Sequence, residues 1–236
     1  MLRIVSFKIC PFVQRVTALL EAKGVAYDVD YISLKDKPQW FLDLSPTGQV
    51  PMLITPEGDA LFESDAIVEY IEEVTPPLMP GVSPVQRAQD RAWSYQATKH
   101  YLVQCSAMQS RDQSVLAERE AKLSKAFAKA ETQIGHGPFF NGERLSNVDI
   151  AWLPLLHRAE IVRAHSGYDF LADSPKVRAW QGALAQTGLY EKSVAPDFDA
   201  AFAGFYLSER TFLGRGADFS EPAPEPAPKA MAGCCG

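Results

Sequence analysis

Residues 2–13 read Leu2-Arg3-Ile4-Val5-Ser6-Phe7-Lys8-Ile9-Cys10-Pro11-Phe12-Val13. The apolar run from Leu2 to Phe7 is bounded by Lys8, and a short run of this kind predicts a first strand. A helix is predicted to follow at once, because Pro11 suits the first helical turn and Gly24 provides a C-terminal stop. The chain therefore begins with a strand joined directly to a helix.

A second strand is predicted at Tyr27-Asp28-Val29-Asp30-Tyr31, where apolar and acidic residues alternate strictly. Two strands joined by a helix favour a parallel pair, so residues 2–31 are interpreted as a βαβ unit. The segment that follows, through Trp40 and Phe41, shows no clear period and is predicted to be irregular.

Two more short strands are predicted, over residues 52–54 and 60–62, with a hairpin turn at Pro56-Glu57-Gly58-Asp59. Glu63-Ser64-Asp65 then opens a helix with acidic and hydroxyl side chains at its positive end. The predicted order is βαβ followed by ββα, which makes residues 1–76 an α/β domain.

A proline-rich break at Thr75-Pro76-Pro77-Leu78-Met79-Pro80-Gly81 marks the domain boundary. Beyond it no convincing strand pattern is found, and residues 83–207 are predicted to form an all-helical domain. Three helix starts are marked by capping patterns: Ser83-Pro84, Ser146 with Asp149, and Ser174-Pro175.

Residues 208–236 are predicted to be a C-terminal extension, mostly a disordered tail rich in proline and alanine. The tail includes the vicinal pair Cys234-Cys235. This pair could exchange thiols with Cys10 or bind a soft metal ion, or it could be incidental.

The composition is that of a globular protein: 236 residues, 47% apolar and 22% charged, with a net charge of -6. The negative charge argues against nucleic acid or an anionic membrane as a partner, and no apolar run approaches the ~20 residues of a membrane span. No signal-peptide pattern is present, so the expected location is the cytoplasm. Four cysteines in a chain of this size do not form a disulfide framework.

Cys10 is the sharpest chemical feature, because it lies between a strand end and a helix start. A thiol there faces the unpaired backbone N–H groups of the helix, and such thiols have pKa values of roughly 3.5 to 7.5. Val13 occupies the place where a Cys-x-x-Cys pair would have its second cysteine. A resolving thiol must therefore come from solution. The competing interpretation is a small buried cysteine at a strand end.

Other residues are ambiguous from spacing alone. Pro51 fits a turn or a cis bond entering a strand, and Glu63-Ser64 could bind a carboxylate or merely cap a helix. Cys105 is expected to be a buried small side chain. No metal site is expected, since the histidines lack ligand spacing: His100, His136, His157 and His165.

Four segments in order give the chain a family resemblance: Cys10-Pro11-Phe12-Val13, Lys37-Pro38-Gln39-Trp40-Phe41, residues 46–51, and Glu63-Ser64. Together they resemble a glutathione transferase, and the Lys-Pro-x-Trp-Phe segment with a cysteine points to the omega class. The resemblance covers about residues 1–207. It implies a thioredoxin-like glutathione-binding domain packed against a helical domain, usually in a homodimer.

The resemblance also implies roles in binding glutathione as a cosubstrate, without a metal. Cys10 would form a mixed disulfide with the glutathione sulfur, and Phe12 would line that site. Val50 would pair through its backbone with the cysteinyl part of glutathione, ahead of a cis Pro51.

The ends of glutathione are assigned in the same way. Glu63 and Ser64 would hold the γ-glutamyl end, and Lys37 would hold the glycine carboxylate. These roles agree with the charges of glutathione, which has two carboxylates and one ammonium. A second substrate, small and either electrophilic or oxidised, would contact Tyr101, Arg158 and Phe202 between the domains.

The leading functional hypothesis is a glutathione-dependent thiol transferase or reductase that acts on mixed disulfides, glutathionyl adducts or dehydroascorbate. One alternative is conjugation of glutathione to electrophiles, which a cysteine at position 10 disfavours. Another is a non-catalytic binding or regulatory protein with the same fold.

Overall fold

The computed structural model describes residues 1–215. The first part of the chain forms a four-stranded sheet with strand order β2-β1-β3-β4. Its elements are β1 (Leu2–Ser6), α1 (Pro11–Lys23), β2 (Tyr27–Tyr31), α2 (Gln39–Leu44), β3 (Met52–Ile54), β4 (Ala60–Phe62) and α3 (Ser64–Val74). β1 pairs parallel with β2 and antiparallel with β3, which pairs antiparallel with β4. The predicted βαβ-ββα order is confirmed.

The second part is helical among the described residues, as predicted. Its elements are α4 (Pro84–Met108), α5 (Gln113–Gln133), α6 (Asn147–Ser166), α7 (Pro175–Gln186), α8 (Leu189–Lys192), α9 (Phe198–Tyr206) and a 3-10 turn (Leu213–Arg215). The side chain of Ser83 accepts a hydrogen bond from the Gln86 N–H at 3.1 Å, and Ser146 with Asp149 forms a capping box. Two of the predicted caps are therefore present.

The prediction of an irregular segment through Trp40 and Phe41 was wrong, because α2 forms there. This helix has only six residues and buries one side chain, Phe41, so it leaves no helical period in the sequence. α6 begins after the predicted cap at Ser146 and extends past Pro154 as far as Ser166.

The described chain continues past residue 207. Phe212 and Leu213 are buried, and the Phe212 N–H donates to the Ser110 carbonyl, 2.8 Å away, at the end of α4. The start of the predicted extension therefore packs on the helical part. The rest of the predicted tail, with Cys234 and Cys235, lies outside the described residues.

The two parts meet along α1, which packs against α3 on one side and against α6 and α8 on the other. Thr17 of α1 donates its hydroxyl hydrogen to the Ser193 carbonyl at 2.6 Å, and both residues are buried. This contact places the middle of α1 at the interface between the two parts. Within residues 1–215, no helix is long and apolar enough to cross a membrane.

Candidate active site

Cys10 lies at the N-terminus of α1, as its position between strand and helix predicts. It occupies the N-cap position with extended backbone, and Pro11 begins the helix. Its carbonyl accepts the first helical hydrogen bond, from the Gln14 N–H at 3.1 Å, and its own N–H donates to the Phe7 carbonyl at 3.0 Å. The side chain is an unoxidised thiol and is buried. The thiol is thus held at the positive end of the helix dipole.

A pocket with an empty volume of about 390 Å³ opens beside the N-termini of α1 and α3. Its lining includes five residues assigned to glutathione by resemblance: Phe12, Val50, Pro51, Glu63 and Ser64. The Val50–Pro51 peptide bond is cis. Residues far apart in sequence therefore converge on one concave surface.

Glu63 has an unusual backbone at this pocket. Its φ of 66° lies in the left-handed region that glycine favours. Among residues 1–215, Glu63 is the one residue other than glycine that has a positive φ. A side chain held in such a conformation costs about 1–3 kcal/mol and is typical of functional sites. Ser64, directly after it, is buried and begins α3, so its N–H group belongs to the positive end of that helix.

Lys37 lies outside the lining of this pocket, although it was assigned to the same ligand. Its ammonium donates to the Gly48 carbonyl at 2.8 Å. Gly48 lies between two pocket residues, Thr47 and Gln49, that the sequence reasoning did not single out. Thr47 and Gln49 could have been predicted as pocket residues, because both belong to the Pro46–Pro51 segment that supported the family resemblance.

The three residues assigned to a second substrate are buried at the interface between the two parts. Tyr101, Arg158 and Phe202 expose 1%, 0% and 0% of their surface. The Tyr101 hydroxyl donates to the Ala151 carbonyl, and its ring meets that of Phe12 edge-on at 5.0 Å between centroids. In this structure the three side chains form packed interior, and their contact with a substrate remains a prediction.

A buried polar network links this interior to α1. Gln14 accepts a hydrogen bond from Arg158 and donates to Nδ1 of His157, 2.8 Å away. Arg158 also donates to the Ile9 carbonyl at 3.0 Å, immediately before Cys10. The sequence reasoning missed this network, because Gln14 and Arg158 are separated by most of the chain.

Burial controls the charge of the groups around Cys10. It lowers the pKa of His157 to about 3, with a further contribution from the nearby Arg158, so the imidazole is neutral at physiological pH. It raises the pKa of the Tyr101 phenol and of the Cys105 thiol, which keeps both neutral. His157, Tyr101 and Cys105 are thus uncharged neighbours in this cluster.

The described residues contain no cluster of three or more His, Cys, Asp or Glu side chains that could hold a metal ion. The polar groups at the pocket are instead those that bind an organic zwitterion. They comprise a carboxylate, a hydroxyl group, backbone amides and a nearby ammonium.

Comparison with protein families gives two matches. The model "Glutathione S-transferase, N-terminal domain" matches residues 9–74, and the model "Glutathione S-transferase, C-terminal domain" matches residues 113–180. The first match covers the pocket and Cys10. The second covers all of α5 and α6 and the first half of α7.

Individual proteins show the same similarity. "Probable glutathione S-transferase DHAR1, cytosolic" from Oryza sativa subsp. japonica is 33% identical over 194 residues, covering 79% of this chain and 84% of the relative. "Glutathione S-transferase omega-1" from Sus scrofa is 29% identical over 188 residues, covering 78% and 76%. The crystal structure of glutathione transferase Omega 3C from Trametes versicolor superposes with a TM-score of 0.71 at 28% identity, covering 82% of this chain and 89% of that one.

Proposed function

Because the chain belongs to the glutathione transferase family, we propose that it is a thiol transferase or reductase that acts through the Cys10 thiolate. Its fold is that of the family, a thioredoxin-like domain followed by a helical domain. The observation that supports the proposal is the position of Cys10: this residue, a thiol and not a disulfide, is the N-cap residue of α1, and the next residue but one, Phe12, lines the pocket.

Glutathione fits the pocket by charge. The Glu63 carboxylate would receive its ammonium, and the Ser64 N–H and hydroxyl would receive the γ-glutamyl carboxylate at the start of α3. The backbone of Val50 would pair with the cysteinyl part. Lys37, which already bonds the loop that lines the pocket, would receive the glycine carboxylate. This arrangement would direct the glutathione sulfur toward Cys10.

The proposed reaction proceeds by two thiol–disulfide exchanges. The Cys10 thiolate attacks the glutathione sulfur of a glutathionylated substrate, so a Cys10–glutathione disulfide forms and the substrate thiolate leaves and takes a proton. The thiolate of a second glutathione then attacks the glutathione sulfur of that disulfide, which yields oxidised glutathione and regenerates the Cys10 thiolate. An external thiol is needed because Val13 replaces the second cysteine of a Cys-x-x-Cys motif. Dehydroascorbate would be an alternative oxidised acceptor, and it is reduced by two glutathione molecules overall.

Conjugation of glutathione to electrophiles would need a hydroxyl donor at this helix in place of the thiol. Ser6 is the hydroxyl residue at the end of β1, and it is buried with its hydroxyl donating to the Phe7 carbonyl at 3.1 Å. That hydroxyl is therefore already engaged away from the pocket. A purely binding function would not need a thiol at the N-terminus of α1 beside the proposed glutathione contacts.

The test is intact mass after incubation with oxidised glutathione, for the wild type and for the Cys10→Ala and Cys105→Ala variants. We expect the wild type and Cys105→Ala each to gain one more glutathione than Cys10→Ala, because Cys234 and Cys235 are present in all three proteins. Turnover of a mixed disulfide should exceed that of a chloro-nitroaromatic, and only Cys10→Ala should abolish it. An adduct pattern independent of Cys10, or preferred turnover of the nitroaromatic, would favour conjugation.

We also propose that the protein is a homodimer that acts in the cytoplasm. Cys10 and Cys105 are both thiols and not disulfides, which suits a reducing compartment. The outer face of α4 exposes large apolar side chains at Val85, Tyr95 and Leu102, as a surface covered by a second copy would. Sedimentation velocity should give about twice the chain mass of 26.0 kDa.

A further inference from the structure

Arg158 is a fully buried cation that lacks an acidic partner. It exposes none of its surface, and it donates to the Gln14 side chain, to the Pro154 carbonyl at 3.0 Å and to the Ile9 carbonyl at 3.0 Å. All three acceptors are neutral, and its Nε atom is buried without a partner. In the described part of the chain, no carboxylate forms an ion pair with it.

Other buried cations in the same protein are paired. Arg15 exposes 3% of its side chain and pairs with Asp65, and Lys23 exposes 4% and pairs with Glu72. A buried charge costs several kcal/mol unless an opposite charge compensates it. Arg15 and Lys23 have carboxylate partners and Arg158 has none, which indicates that the negative charge that compensates Arg158 comes from a group other than a carboxylate.

The groups around Arg158 leave few candidates for that charge. From α6 its neighbour His157 is neutral, because burial lowers the pKa of the imidazole to about 3. From α4, Tyr101 and Cys105 are both buried and neutral at physiological pH, since burial raises the pKa of each. From α9, Tyr206 is a buried phenol that hydrogen bonds with Cys105.

Besides Arg158, the charges that act on Tyr101 are those of Arg15 and Cys10 at α1 and Asp65 of α3. Arg15 has the same sign as Arg158, and Asp65 is already bound to Arg15. Cys10 remains, and it directly follows the carbonyl to which Arg158 donates. Both Arg158 and Cys10 also act electrostatically on Tyr101 and on Cys105, which places the two groups in one buried cluster.

We propose that Arg158 is a positioning residue whose guanidinium serves as the counter-charge of the Cys10 thiolate, and that it also fixes the Ile9 carbonyl ahead of the helix. This inference rests on the proposed function, because it deepens the account of how Cys10 reacts. The thiolate would be stabilised by two sources of positive potential, the N-terminus of α1 and the side chain from α6. Arg158 therefore acts on the nucleophile through its charge.

The experiment measures the pKa of Cys10 from thiolate absorbance near 240 nm, taken as the difference from the Cys10→Ala variant. The proteins compared are the wild type, Arg158→Met, Arg158→Lys and, as a matched control, Arg178→Met. Arg178 forms a partly exposed ion pair with Asp169, so its loss should leave Cys10 unaffected. The measurement uses no glutathione.

We expect Arg158→Met to raise the pKa of Cys10 by at least about one unit, which is roughly a tenfold loss of thiolate at pH values below the pKa. Arg158→Lys should restore most of the shift, because it keeps the charge. A folded Arg158→Met protein with an unchanged Cys10 pKa would overturn the proposal. If the wild type forms the Cys10 adduct with glutathione while Arg158→Met leaves the Cys10 pKa unchanged, only the role of Arg158 is overturned. If the wild type forms no adduct while Arg158→Met raises the Cys10 pKa, only the proposed function is overturned.

A second comparison keeps Arg158 in place, in case its replacement prevents folding. Cys10→Asp and Cys10→Asn have side chains of the same shape and cap helices equally well, and only the aspartate is charged. We expect Cys10→Asp to melt at a temperature at least as high as Cys10→Asn at pH 8, and to lose that advantage on acidification below pH ~4. If Cys10→Asp melts several degrees lower at pH 8, no counter-charge faces position 10 and the proposal is wrong.

Discussion

The ammonium of Lys8 lies 2.6 Å from the carboxylate of Asp197, and this ion pair joins the loop before Cys10 to the start of α9. Both side chains are about half exposed, at 43% and 55%. The hydrogen bond from Lys8 lowers the pKa of Asp197 below its usual value. The pair therefore links the two parts of the protein at the surface, close to the proposed nucleophile.

Loss of this ion pair should change the rate at which reagents reach and alkylate Cys10 more than it changes the stability of the fold. Exposed ion pairs contribute little to stability because water screens them. We expect Lys8→Met to leave the urea midpoint at pH 7 almost unchanged. It should alter the rate of Cys10 alkylation, and the difference should disappear in about 1 M salt, where screening acts over about 3 Å. A rate difference that is independent of salt would contradict an electrostatic origin.

His157 should make the protein sensitive to acid. Its folded pKa of about 3 lies below the unfolded value of 6.5, so the unfolded chain binds a proton that the folded protein does not. The stability is fully present above pH ~6.5 and falls as the pH decreases toward the folded pKa, by about 1.4 kcal/mol per pH unit for one proton. Urea unfolding of the wild type and of His157→Gln between pH 7.5 and 4.5 measures this slope.

The matched control for that experiment is His165→Gln, because His165 is exposed at the end of α6. We expect the free energy of unfolding of His165→Gln to change with pH as steeply as that of the wild type. For His157→Gln the change with pH should be shallower. Equal slopes for all three proteins would mean that His157 titrates normally.

Glu63→Gly should separate stability from glutathione binding. Glycine removes a backbone strain of about 1–3 kcal/mol and costs about 0.5–1 kcal/mol in chain entropy, so we expect a net gain near 1 kcal/mol. Loss of the carboxylate should weaken glutathione binding by roughly tenfold or more. Thermal unfolding and calorimetric titration measure the two effects.

Glu63→Gln is the companion variant, since it keeps the strained backbone and loses the charge. It should match the wild type in stability and Glu63→Gly in affinity. Binding as tight as that of the wild type in both variants would show that the ammonium of glutathione does not use this carboxylate.

Asp149 should be one of the most sensitive positions for stability. Its buried carboxylate accepts hydrogen bonds from the Phe140 N–H at 2.8 Å, from the N–H and hydroxyl of Ser146 at 2.7 and 2.6 Å, and from the Trp180 indole at 2.7 Å. Asp149→Ala leaves these donors buried without a partner, and we expect a loss of about 3–5 kcal/mol in urea unfolding. Ser146→Ala, which removes one donor, should cost about 1 kcal/mol.

Much of the fold could be predicted from local chemistry. The alternation at Tyr27–Tyr31, the proline start of α1 and the capping box at Ser146 all act over a few residues, and the structure contains each of them. α2 was missed because burial of the single residue Phe41 stabilises it, and one buried side chain produces no periodicity.

The site divides in the same way. Cys10 could be identified from its place between a strand and a helix, and the pocket from segments that the family resemblance brought together. The partner of Cys10 across the interface could not, because no local pattern relates Ile9 to Arg158. Likewise, the residues predicted to contact a second substrate are buried. A sequence can indicate which helices are neighbours, but it does not show how closely their side chains pack.

The contacts of α1 have a consequence for how the chain folds. Gln14 and Thr17 are buried only because α6 and the segment after α8 supply their partners. A fragment that ends at the proline-rich break would expose this face of α1 and lose those hydrogen bonds. We therefore expect the parts on either side of the proline-rich break to unfold together in one cooperative transition.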